Sequence, residues 1–401
     1  MTDPAVHRPI VIAGAGPVGL YSAFLLVRAG HPVVVLEQHP ELAADMRAST
    51  FHPATLDLLA QGDLADALVA MGTPAARWQY MVHGTRQRAV FDLSVLSDLT
   101  AHPFRLQCEQ FRLTRLIVER LRGEPLFDLR LGCTLTGIED GPDGVTVQAR
   151  DASGEVAFAG EWLIAADGGR STIRKALGLR FEGGVFPRTS ITLVLDHPFH
   201  DREPELLGVN YVWTERAHYS LMRIRDLWRF SYSPDPQQTV EEALSEPVAQ
   251  AHLQAVFPRR QPYRILQRNY YTLQQRCLDD FRVGRVVFAG DAAHLNSPAG
   301  GMGMNSGIHD AHCLVEHLLP VLAGGDERLL DRYARRRRTI AREEVQRLSA
   351  RNYRWHRETD PERRRAIWQR LQDIVNDPAR MREFLLDSSM LRSRQRELEI
   401  D

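Results

Sequence analysis

A glycine-rich turn near the N-terminus constrains the fold more than any other feature of the chain. Residues 8–38 read RPIVIAGAGPVGLYSAFLLVRAGHPVVVLEQ. The apolar run Ile10–Ala13 predicts a buried strand, and Leu20–Arg28 has the periodicity of a helix. Residues 31–37 predict a second strand, parallel to the first and covered on both faces. This order of strand, GxGxxG turn, helix and strand predicts a Rossmann-like α/β sheet.

The residues of the turn have separate structural tasks. Gly14 permits the tight turn, Gly16 lets the backbone approach a pyrophosphate, and Gly19 lets the helix pack closely on the strand. The first turn of the helix, with Pro17 and Val18, offers unpaired N–H groups and the positive end of the helix dipole to phosphates. The turn therefore predicts a bound anion.

An acidic residue at the end of the second strand completes this motif. Glu37, followed by Gln38, stands where an acid accepts hydrogen bonds from the ribose hydroxyls of an adenosine. The motif therefore predicts an adenine dinucleotide, and this stretch alone leaves both FAD and NAD open.

The composition is that of an ordinary globular protein and disfavours several classes of partner. Of 401 residues, 44% are hydrophobic and 25% charged, and the net charge of −1 gives no electrostatic case for nucleic acid or a membrane surface. No segment approaches about eighteen uninterrupted apolar residues, the length of a membrane span. The cysteines, Cys108, Cys133, Cys277 and Cys313, form no CxxC pair. We expect a cytoplasmic protein with no metal site, no nucleic-acid partner and no membrane partner.

Two further motifs place polar residues where apolar strands end. Residues 163–178, LIAADGGRSTIRKALG, run from an apolar strand into Asp167 and Gly168. Ligands of open α/β sheets bind at such carboxyl ends of strands. Residues 284–311, GRVVFAGDAAHLNSPAGGMGMNSGIHDA, deliver Asp291 after a buried strand and continue into a glycine-rich loop and a helix near Asn305. The loop and helix end suit an anion such as the pyrimidine edge of a reduced flavin.

The three motifs, in this order and at these separations, resemble the single-component FAD-dependent aromatic hydroxylases, which are p-hydroxybenzoate hydroxylase-like flavoprotein monooxygenases. The likeness covers most of residues 8–345. It implies an α/β fold, in which a Rossmann-like FAD-binding domain carries an inserted antiparallel β-sheet substrate domain and C-terminal helices. The expected FAD-binding domain comprises residues 1–73, 105–182 and 276–325, the substrate domain 74–104 and 183–275, and the C-terminal helical region 326–401.

The resemblance also implies which residues contact FAD. Arg47 matches an arginine near the phosphates, Gln107 a glutamine near the ribityl chain, and Asp167 an aspartate that supports both FAD and NAD(P)H. Asp291 is expected to hold the ribityl chain, and Pro298 to lie at the flavin ring as a catalytic-site residue. The full expected set is Gly14, Gly16, Pro17, Val18, Gly19, Glu37, Gln38, Arg47, Gln107, Asp167, Gly168, Asp291, Pro298, Gly301, Met302, Gly303, Met304 and Asn305.

The implied reaction uses NADPH or NADH as co-substrate, and O2. It hydroxylates a small phenolic or hydroxylated (hetero)aromatic compound through a flavin C4a-hydroperoxide. A larger polycyclic or quinone-type natural product is the alternative substrate. The ring, the position hydroxylated, the choice between NADH and NADPH, and the catalytic base are left open. So is the oligomeric state, for which a homodimer is one expectation.

Candidate substrate contacts lie on the predicted strand HYSLMRIRD, residues 218–226. Strand alternation places Tyr219, Arg223 and Arg225 on one face, where an arginine could pair with a carboxylate and Tyr219 could join a proton path. Tyr211, His218 and Tyr232 are further candidates, although any of the histidines could equally be structural. Ordinary surface ion pairing explains the arginines equally well. The arginine-rich helices after residue 326 carry interleaved glutamates, which indicate a solvated, salt-bridged surface.

Two other classes of flavoprotein are weighed against the hydroxylase. A flavin-dependent halogenase needs a catalytic lysine, and the only lysine here, Lys175, directly follows the Asp-Gly motif. The Trp-x-Trp-x-Ile-Pro stretch typical of halogenases does not occur either. A flavoprotein without turnover, acting as a binding or redox-sensing module, is the alternative outside the enzymes.

Overall fold

The computed structural model describes residues 8–44, 46, 48–187, 189–215 and 217–401. Most strands of this part of the chain are short, and many are separated by glycine-containing turns. They are β1 (Ile10–Ala13), β2 (Val33–Glu37), β3 (Thr50–Phe51), β4 (Thr73–Ala75), β5 (Arg77–Val82), β6 (Arg88–Asp92), β7 (Arg105–Gln107), β8 (Phe127–Leu131), β9 (Thr134–Gly141), β10 (Gly144–Asp151), β11 (Gly154–Gly160), β12 (Leu163–Ala165), β13 (Glu182–Val185), β14 (Ser190–Leu195), β15 (Val209–Trp213), β16 (His218–Ile224), β17 (Leu227–Tyr232), β18 (Ile265–Tyr271), β19 (Gln274–Cys277), β20 (Arg282–Val283), β21 (Val286–Phe288) and β22 (His294–Leu295).

The helices are concentrated at the two ends of the chain. Those of the described residues are α1 (Pro17–Arg28), α2 (Pro53–Ala60), α3 (Ala65–Met71), α4 (Gln110–Arg120), α5 (Thr172–Ala176), α6 (Phe199–Arg202), α7 (Val240–Leu244), α8 (Glu246–Val256), α9 (Gly303–Leu322), α10 (Arg328–Ile340), α11 (Arg347–Arg357), α12 (Pro361–Val375), α13 (Pro378–Ser388) and α14 (Leu391–Glu399). Short 3-10 helices occupy Leu93–Leu96 and Gly290–Ala292, and a π-helical segment, Ala341–Gln346, joins α10 to α11.

A six-stranded sheet forms the centre of the first half of the fold. Its order is β20-β21-β12-β1-β2-β8, and every pair is parallel except β20 with β21. All four residues of β1 are buried, because α1, α4 and α9 cover the sheet. The predicted α/β fold with a Rossmann-like strand, turn and helix is confirmed.

A seven-stranded sheet forms the second half, in the order β18-β14-β17-β16-β15-β5-β6. All of its pairs are antiparallel except β15 with β5. Alternating side chains give the sheet two different faces. One face packs with Leu253 and Phe257 around α8, and the other with Leu385 and neighbouring residues of the C-terminal helices.

A small sheet, β3-β7-β4, connects the two large sheets. Its central strand β7 pairs Gln107 with both Thr50 and Thr73, and all three residues of β7 are buried. Two further three-stranded sheets have the orders β11-β10-β9 and β13-β19-β22. Within the described residues, no helix is long and apolar enough to cross a membrane.

Candidate active site

A cavity of about 610 Å³ lies between the two large sheets. The glycine-rich turn, the Asp-Gly motif and the loop of residues 298–303 line one end of it. Strands of the seven-stranded sheet line the other end, together with α11 and α13. We call these two parts the dinucleotide end and the aromatic end. Three motifs that are far apart in the sequence therefore meet at one cavity.

The glycine-rich turn is shaped so that a ligand can approach its backbone. Gly14 has a φ of 102°, and a Cβ there would lie 2.4 Å from the carbonyl oxygen of Ala166. A Cβ on Gly19 would lie 2.0 Å from the carbonyl oxygen of Gly14, so close helix packing requires glycine. Gly16 differs, because a Cβ there would meet nothing within 4 Å and the residue lines the cavity with Pro17 and Val18. This arrangement fits a pyrophosphate at Gly16.

Glu37 supports the same turn with its carboxylate. Oε2 accepts a hydrogen bond from the backbone N–H of Ala15 at 2.9 Å, and Oε1 accepts one from that of His39 at 3.0 Å. The carboxylate therefore lies beside the turn, at the carboxyl end of β2, where an adenosine ribose is expected. Gln38 is exposed next to it. Arg47 lies outside the described residues, so its predicted contact stays a prediction.

The two carboxylate oxygens of Asp167 differ in their hydrogen bonding. Oδ2 accepts hydrogen bonds from the backbone N–H groups of Thr172 at 2.7 Å and Ile173 at 3.2 Å, which caps α5. Oδ1 is buried and has no partner among the described residues. Burial raises the pKa of this carboxyl. Asp167 does not line the cavity itself, but the following residue, Gly168, does, so this oxygen lies next to the dinucleotide end.

The loop that leads into α9 divides its residues between the cavity and the protein interior. Pro298, Gly301, Gly303 and Met304 line the cavity, and the exposed Asp291 lies nearby on its wall. Their backbone and the N-terminus of α9 thus face the dinucleotide end, as a flavin pyrimidine edge would require.

Met302 and Asn305 of this loop, and Gln107 of β7, lie behind the cavity wall instead. Met302 belongs to the apolar core. Asn305 accepts from the N–H of His52 at 2.9 Å and donates to the carbonyl oxygens of Thr50 and Gly301 at 2.7 and 2.6 Å. Gln107 is fully buried, and its Oε1 accepts from the Thr50 hydroxyl at 3.0 Å. The structure therefore places Met302, Asn305 and Gln107 as supports of the loop.

A buried ion-pair network behind this loop escaped the sequence analysis. Arg337 donates to Asp310 at 2.6 Å and to Glu397 at 2.8 Å, and all three side chains are fully buried or nearly so. Asp310 also accepts from the backbone N–H of Gly290 at 2.9 Å and pairs with His294 at 2.8 Å. Although burial favours the neutral acid, the charges of Arg337 and His294 hold the pKa of Asp310 below its ordinary value. Arg337 stands within a run of four arginines, and nothing in that run distinguishes a buried member.

The substrate residues predicted on β16 face the wrong way. Tyr219, Arg223 and Arg225 do not line the cavity, whereas the alternate residues His218, Ser220 and Met222 do. The Tyr219 hydroxyl lies 3.1 Å from Nδ1 of His83 on the opposite face of the sheet. Arg223 donates to the carbonyl oxygen of Arg225 at 2.9 Å, and Arg225 has a φ of 54° in the turn after β16. The residues of β16 that face the cavity are therefore His218, Ser220 and Met222, and Arg225 lies beyond the strand.

Aromatic rings form the wall of the aromatic end. Trp78 of β5 meets Tyr211 of β15 edge-on at 5.8 Å between ring centroids, and Tyr80 stacks on Tyr211 at 5.2 Å. The guanidinium of Arg105, on β7, lies 4.2 Å from the ring centroid of Trp78. None of these residues belongs to a recognisable motif, because three separate strands bring them together.

Helix α11 closes the aromatic end with His356. Its ring centroid is 4.8 Å from that of His218 and 5.3 Å from that of Tyr211. Burial, reinforced by the charges of Arg357 and Arg364, lowers the pKa of His356 to about 3. His356 therefore stays neutral at physiological pH. The part of this wall that α11 contributes could not be predicted, since the arginine-rich pattern of the C-terminal helices indicates a solvated surface.

Comparisons with known proteins agree with this geometry. A family model described as "FAD binding domain" matches residues 7–348. Para-nitrophenol 4-monooxygenase of Pseudomonas sp. (strain WBC-3) is 32% identical over 398 residues, which cover 96% of each chain. 6-Methylpretetramide 4-monooxygenase of Streptomyces rimosus is 34% identical over 347 residues, 84% of this chain and 60% of that protein.

The similarity extends to solved structures. The crystal structure of a p-nitrophenol 4-monooxygenase from Pseudomonas putida superposes with a TM-score of 0.90 at 30% identity. The superposition covers 95% of this chain and 97% of that one, so the C-terminal helices are included. Among the described residues, no cluster of histidine, cysteine and acidic side chains could hold a metal ion.

Proposed function

The chain belongs to the FAD-dependent aromatic monooxygenases, and from this premise we propose that it hydroxylates a single-ring phenol. The observation that carries the proposal is the continuous cavity that joins the dinucleotide end to the aromatic end. A cofactor held at one end and a ring held at the other would share one continuous cavity. NADPH or NADH serves as co-substrate, as in the family.

The residues of the dinucleotide end would hold the cofactor. We assign the pyrophosphate to the turn at Gly16, the ribose to Glu37, and the cofactor's hydroxyls to Asp167 and Asp291. Bound FAD would supply hydride acceptance from NAD(P)H and the activation of O2 for insertion of one oxygen atom into a ring. The protein's own part is to position the ring, take its proton and exclude water.

We assign the proton transfer to His218. Its ring lines the cavity, and its Nε2 lies 3.4 Å from the hydroxyl of Ser233. Ser233 accepts a hydrogen bond from Arg357 at 2.6 Å and is half-buried, so the pair leads from the cavity toward solvent. His356 is less suited to act as the base, because a group with a pKa of about 3 accepts protons poorly near neutral pH.

The size of the cavity favours a small substrate over a polycyclic one. The same 610 Å³ must accommodate the reactive ring system of the cofactor together with the substrate. Tyr353 and His356 of α11 and Phe384 of α13 line the cavity opposite the seven-stranded sheet and limit its width. Para-nitrophenol 4-monooxygenase, which this chain covers to 96%, acts on p-nitrophenol according to its name. The relative named for 6-methylpretetramide is longer, and this chain spans only 60% of it.

The test is NAD(P)H-dependent O2 uptake by the FAD-loaded protein across a panel of para-substituted phenols, with mass analysis of the products. We expect at least one phenol to stimulate uptake and to gain one oxygen atom. If every single-ring phenol gives only peroxide, and only polycyclic phenols give a hydroxylated product, the proposal is contradicted. The substrate would then be a larger polycyclic compound. If no aromatic compound accelerates reduction of the flavin by NAD(P)H, the result favours a flavoprotein without turnover.

A further inference from the structure

We propose that His52 is a positioning residue that sets the reduction potential of the bound FAD. Its ring holds the carbonyl oxygen of Gly300 away from the cavity, so that the peptide between Gly300 and Gly301 turns its N–H side to the cofactor. The inference rests on the proposed assignment of the dinucleotide end to FAD, and it holds whichever aromatic compound is the substrate.

Two successive glycines make this peptide easy to reorient. Gly300 has a φ of 97° and Gly301 a φ of 69°, in the left-handed region that glycine adopts at low cost. Because neither residue carries a Cβ, rotation of the peptide plane by half a turn meets little steric resistance. In the reversed orientation the carbonyl oxygen would face the cavity, which both glycines line. The glycines alone therefore do not fix which end of this peptide faces the cofactor.

Two hydrogen bonds fix the observed orientation. Nε2 of His52 donates to the carbonyl oxygen of Gly300 at 2.8 Å. The N–H of Gly301 donates to the carbonyl oxygen of Pro298 at 2.9 Å, which closes a four-residue turn. The second bond is local to the loop, whereas the first connects the loop to the start of α2. His52 therefore supplies the contact from outside the loop that selects this orientation.

The surroundings of His52 keep its ring neutral and in place. The residue is fully buried, and its backbone N–H donates to Oδ1 of Asn305 at 2.9 Å. Burial, reinforced by the charge of Arg105, lowers the pKa of His52 to about 3. Since a carbonyl oxygen only accepts, the neutral ring carries its proton on Nε2, and Nδ1 has no partner among the described residues. The hydrogen-bonding capacity of the ring is thus directed at the loop.

The orientation of this peptide matters because the two redox states of FAD differ in charge. The reduced flavin is an anion at its pyrimidine edge, and charge near that edge tunes its electronics. Peptide N–H groups that point at an anion stabilise it, whereas a carbonyl oxygen in the same place destabilises it. A reversed peptide would therefore lower the affinity for reduced FAD more than the affinity for oxidised FAD. The reduction potential reports the ratio of these two affinities.

The experiment measures the two-electron reduction potential of the FAD-loaded protein by equilibration with a reference dye, without NAD(P)H or an aromatic compound. His52→Leu removes the donor and keeps a side chain of similar size. We expect the ratio of the affinities for reduced and oxidised FAD to fall by about tenfold, which lowers the potential by about 30 mV.

Two amide variants separate the hydrogen bond from the bulk of the side chain. His52→Gln places an amide N–H near the position of Nε2, and its potential should stay close to that of the wild type. His52→Asn is too short to reach Gly300, and it should lower the potential as His52→Leu does. Both variants keep a polar side chain, so a difference between them reports the contact with the loop.

His309→Asn is the matched control. His309 is also fully buried, and its Nδ1 also has no partner among the described residues. It also joins α9 to α2, because its Nε2 lies 3.0 Å from the hydroxyl of Thr55. Unlike that of His52, this contact leads away from the loop, and His309 does not line the cavity. The potential of His309→Asn should equal that of the wild type.

A wild-type potential in both His52→Leu and His52→Asn would overturn the inference. So would equal shifts in His52→Gln and His52→Asn, or a shift of the same size in His309→Asn, because a general loosening of the fold would then be the cause. Loss of FAD from all three His52 variants would identify a folding residue and would also overturn it. A protein that hydroxylates no single-ring phenol, but shows the expected potentials, would reject the proposed substrate and retain this role of His52.

Discussion

The two ends of the cavity are built from different parts of the polypeptide. The dinucleotide end is made mainly of backbone, in which Gly14, Gly16 and Gly19 set where the chain passes and what can approach it. The aromatic end is made of side chains from two sheets and two helices, such as Trp78, Tyr211 and Arg105. The dinucleotide end therefore depends on local motifs, whereas the aromatic end depends on which faces the tertiary structure brings together.

This difference gives contrasting expectations for substitution at the two ends. Changes at the dinucleotide end should act on folding and FAD retention, because the backbone itself is the site. Changes at the aromatic end should act on the reaction while FAD stays bound. The following substitutions test that contrast, in order of decreasing expected effect.

The largest effect is expected for Gly19→Ala. The added Cβ would lie 2.0 Å from the carbonyl oxygen of Gly14, so the turn and α1 cannot keep their positions. We expect purified Gly19→Ala protein to contain almost no FAD, as measured by flavin absorbance and by titration of added FAD.

Gly16→Ala is the matched control within the same turn. Gly16 has a φ of −73°, and its added Cβ would meet no protein atom within 4 Å, so the apoprotein should fold as stably as the wild type. Only FAD affinity should fall, by about tenfold or more. Normal FAD content in Gly19→Ala would refute the backbone account of this end.

The next effect concerns the network behind the loop. Asp310→Asn leaves buried Arg337 with Glu397 as its one carboxylate partner among the described residues, and it weakens the bonds to Gly290 and His294. Breaking a buried pair from one side costs about 3–5 kcal/mol, and we expect the free energy of unfolding to fall by this amount in urea titrations. Glu155→Gln, in an exposed pair with Arg150, should cost less than about 1 kcal/mol.

The same network predicts a dependence on acid. Because the pKa of Asp310 is lower in the folded protein than in the unfolded chain, its contribution to stability is fully present above the ordinary carboxyl pKa of about 4. The contribution is lost as the pH falls below that value. Unfolding titrations should therefore show a smaller difference between wild type and Asp310→Asn in acid than at neutral pH, and a constant difference would contradict the assignment.

At the aromatic end, His218→Gln should lower product formation by about 100-fold or more, because the phenol loses its proton acceptor. FAD content and thermal stability should stay close to those of the wild type. The informative measurement is the pH profile of the turnover rate, in which one ionisation present in the wild type should disappear. An unchanged profile would identify His218 as a structural residue.

The smallest effect is expected for Tyr219→Phe, the neighbour of His218 on the other face of β16. It removes the hydrogen bond to His83, worth about 1 kcal/mol of stability. The rate of hydroxylation should not change. A large loss of activity in Tyr219→Phe, with none in His218→Gln, would reverse our assignment of the two faces.

The dinucleotide end could be predicted from the sequence because its determinants are local. The predicted strand Ile10–Ala13 has the observed bounds, and the helix predicted from Leu20 begins at Pro17, where proline is favoured in the first turn. The fold class and the use of FAD are confirmed. The individual FAD contacts, including that of Arg47, and the domain boundaries stay predictions.

The aromatic end could not be predicted, for two physical reasons. A strand such as β16 presents alternate residues to opposite faces, and the sequence does not state which face meets the cavity. Tyr219 and His218 are adjacent, and only tertiary packing distinguishes them. The other reason is distance along the chain, since His356 and Phe384 reach the cavity from helices that follow the three motifs.

The position of α11 and α13 has a consequence for how such proteins diversify. The family model ends at residue 348, and Tyr353, His356 and Phe384 lie after it. The dinucleotide end and this part of the aromatic end are thus encoded in successive stretches of the gene. Recombination or drift confined to the stretch that encodes these helices can reshape the aromatic end while leaving the glycine-rich turn intact. A designer can exploit the same arrangement by grafting the last helices of one homologue onto the flavin-binding part of another.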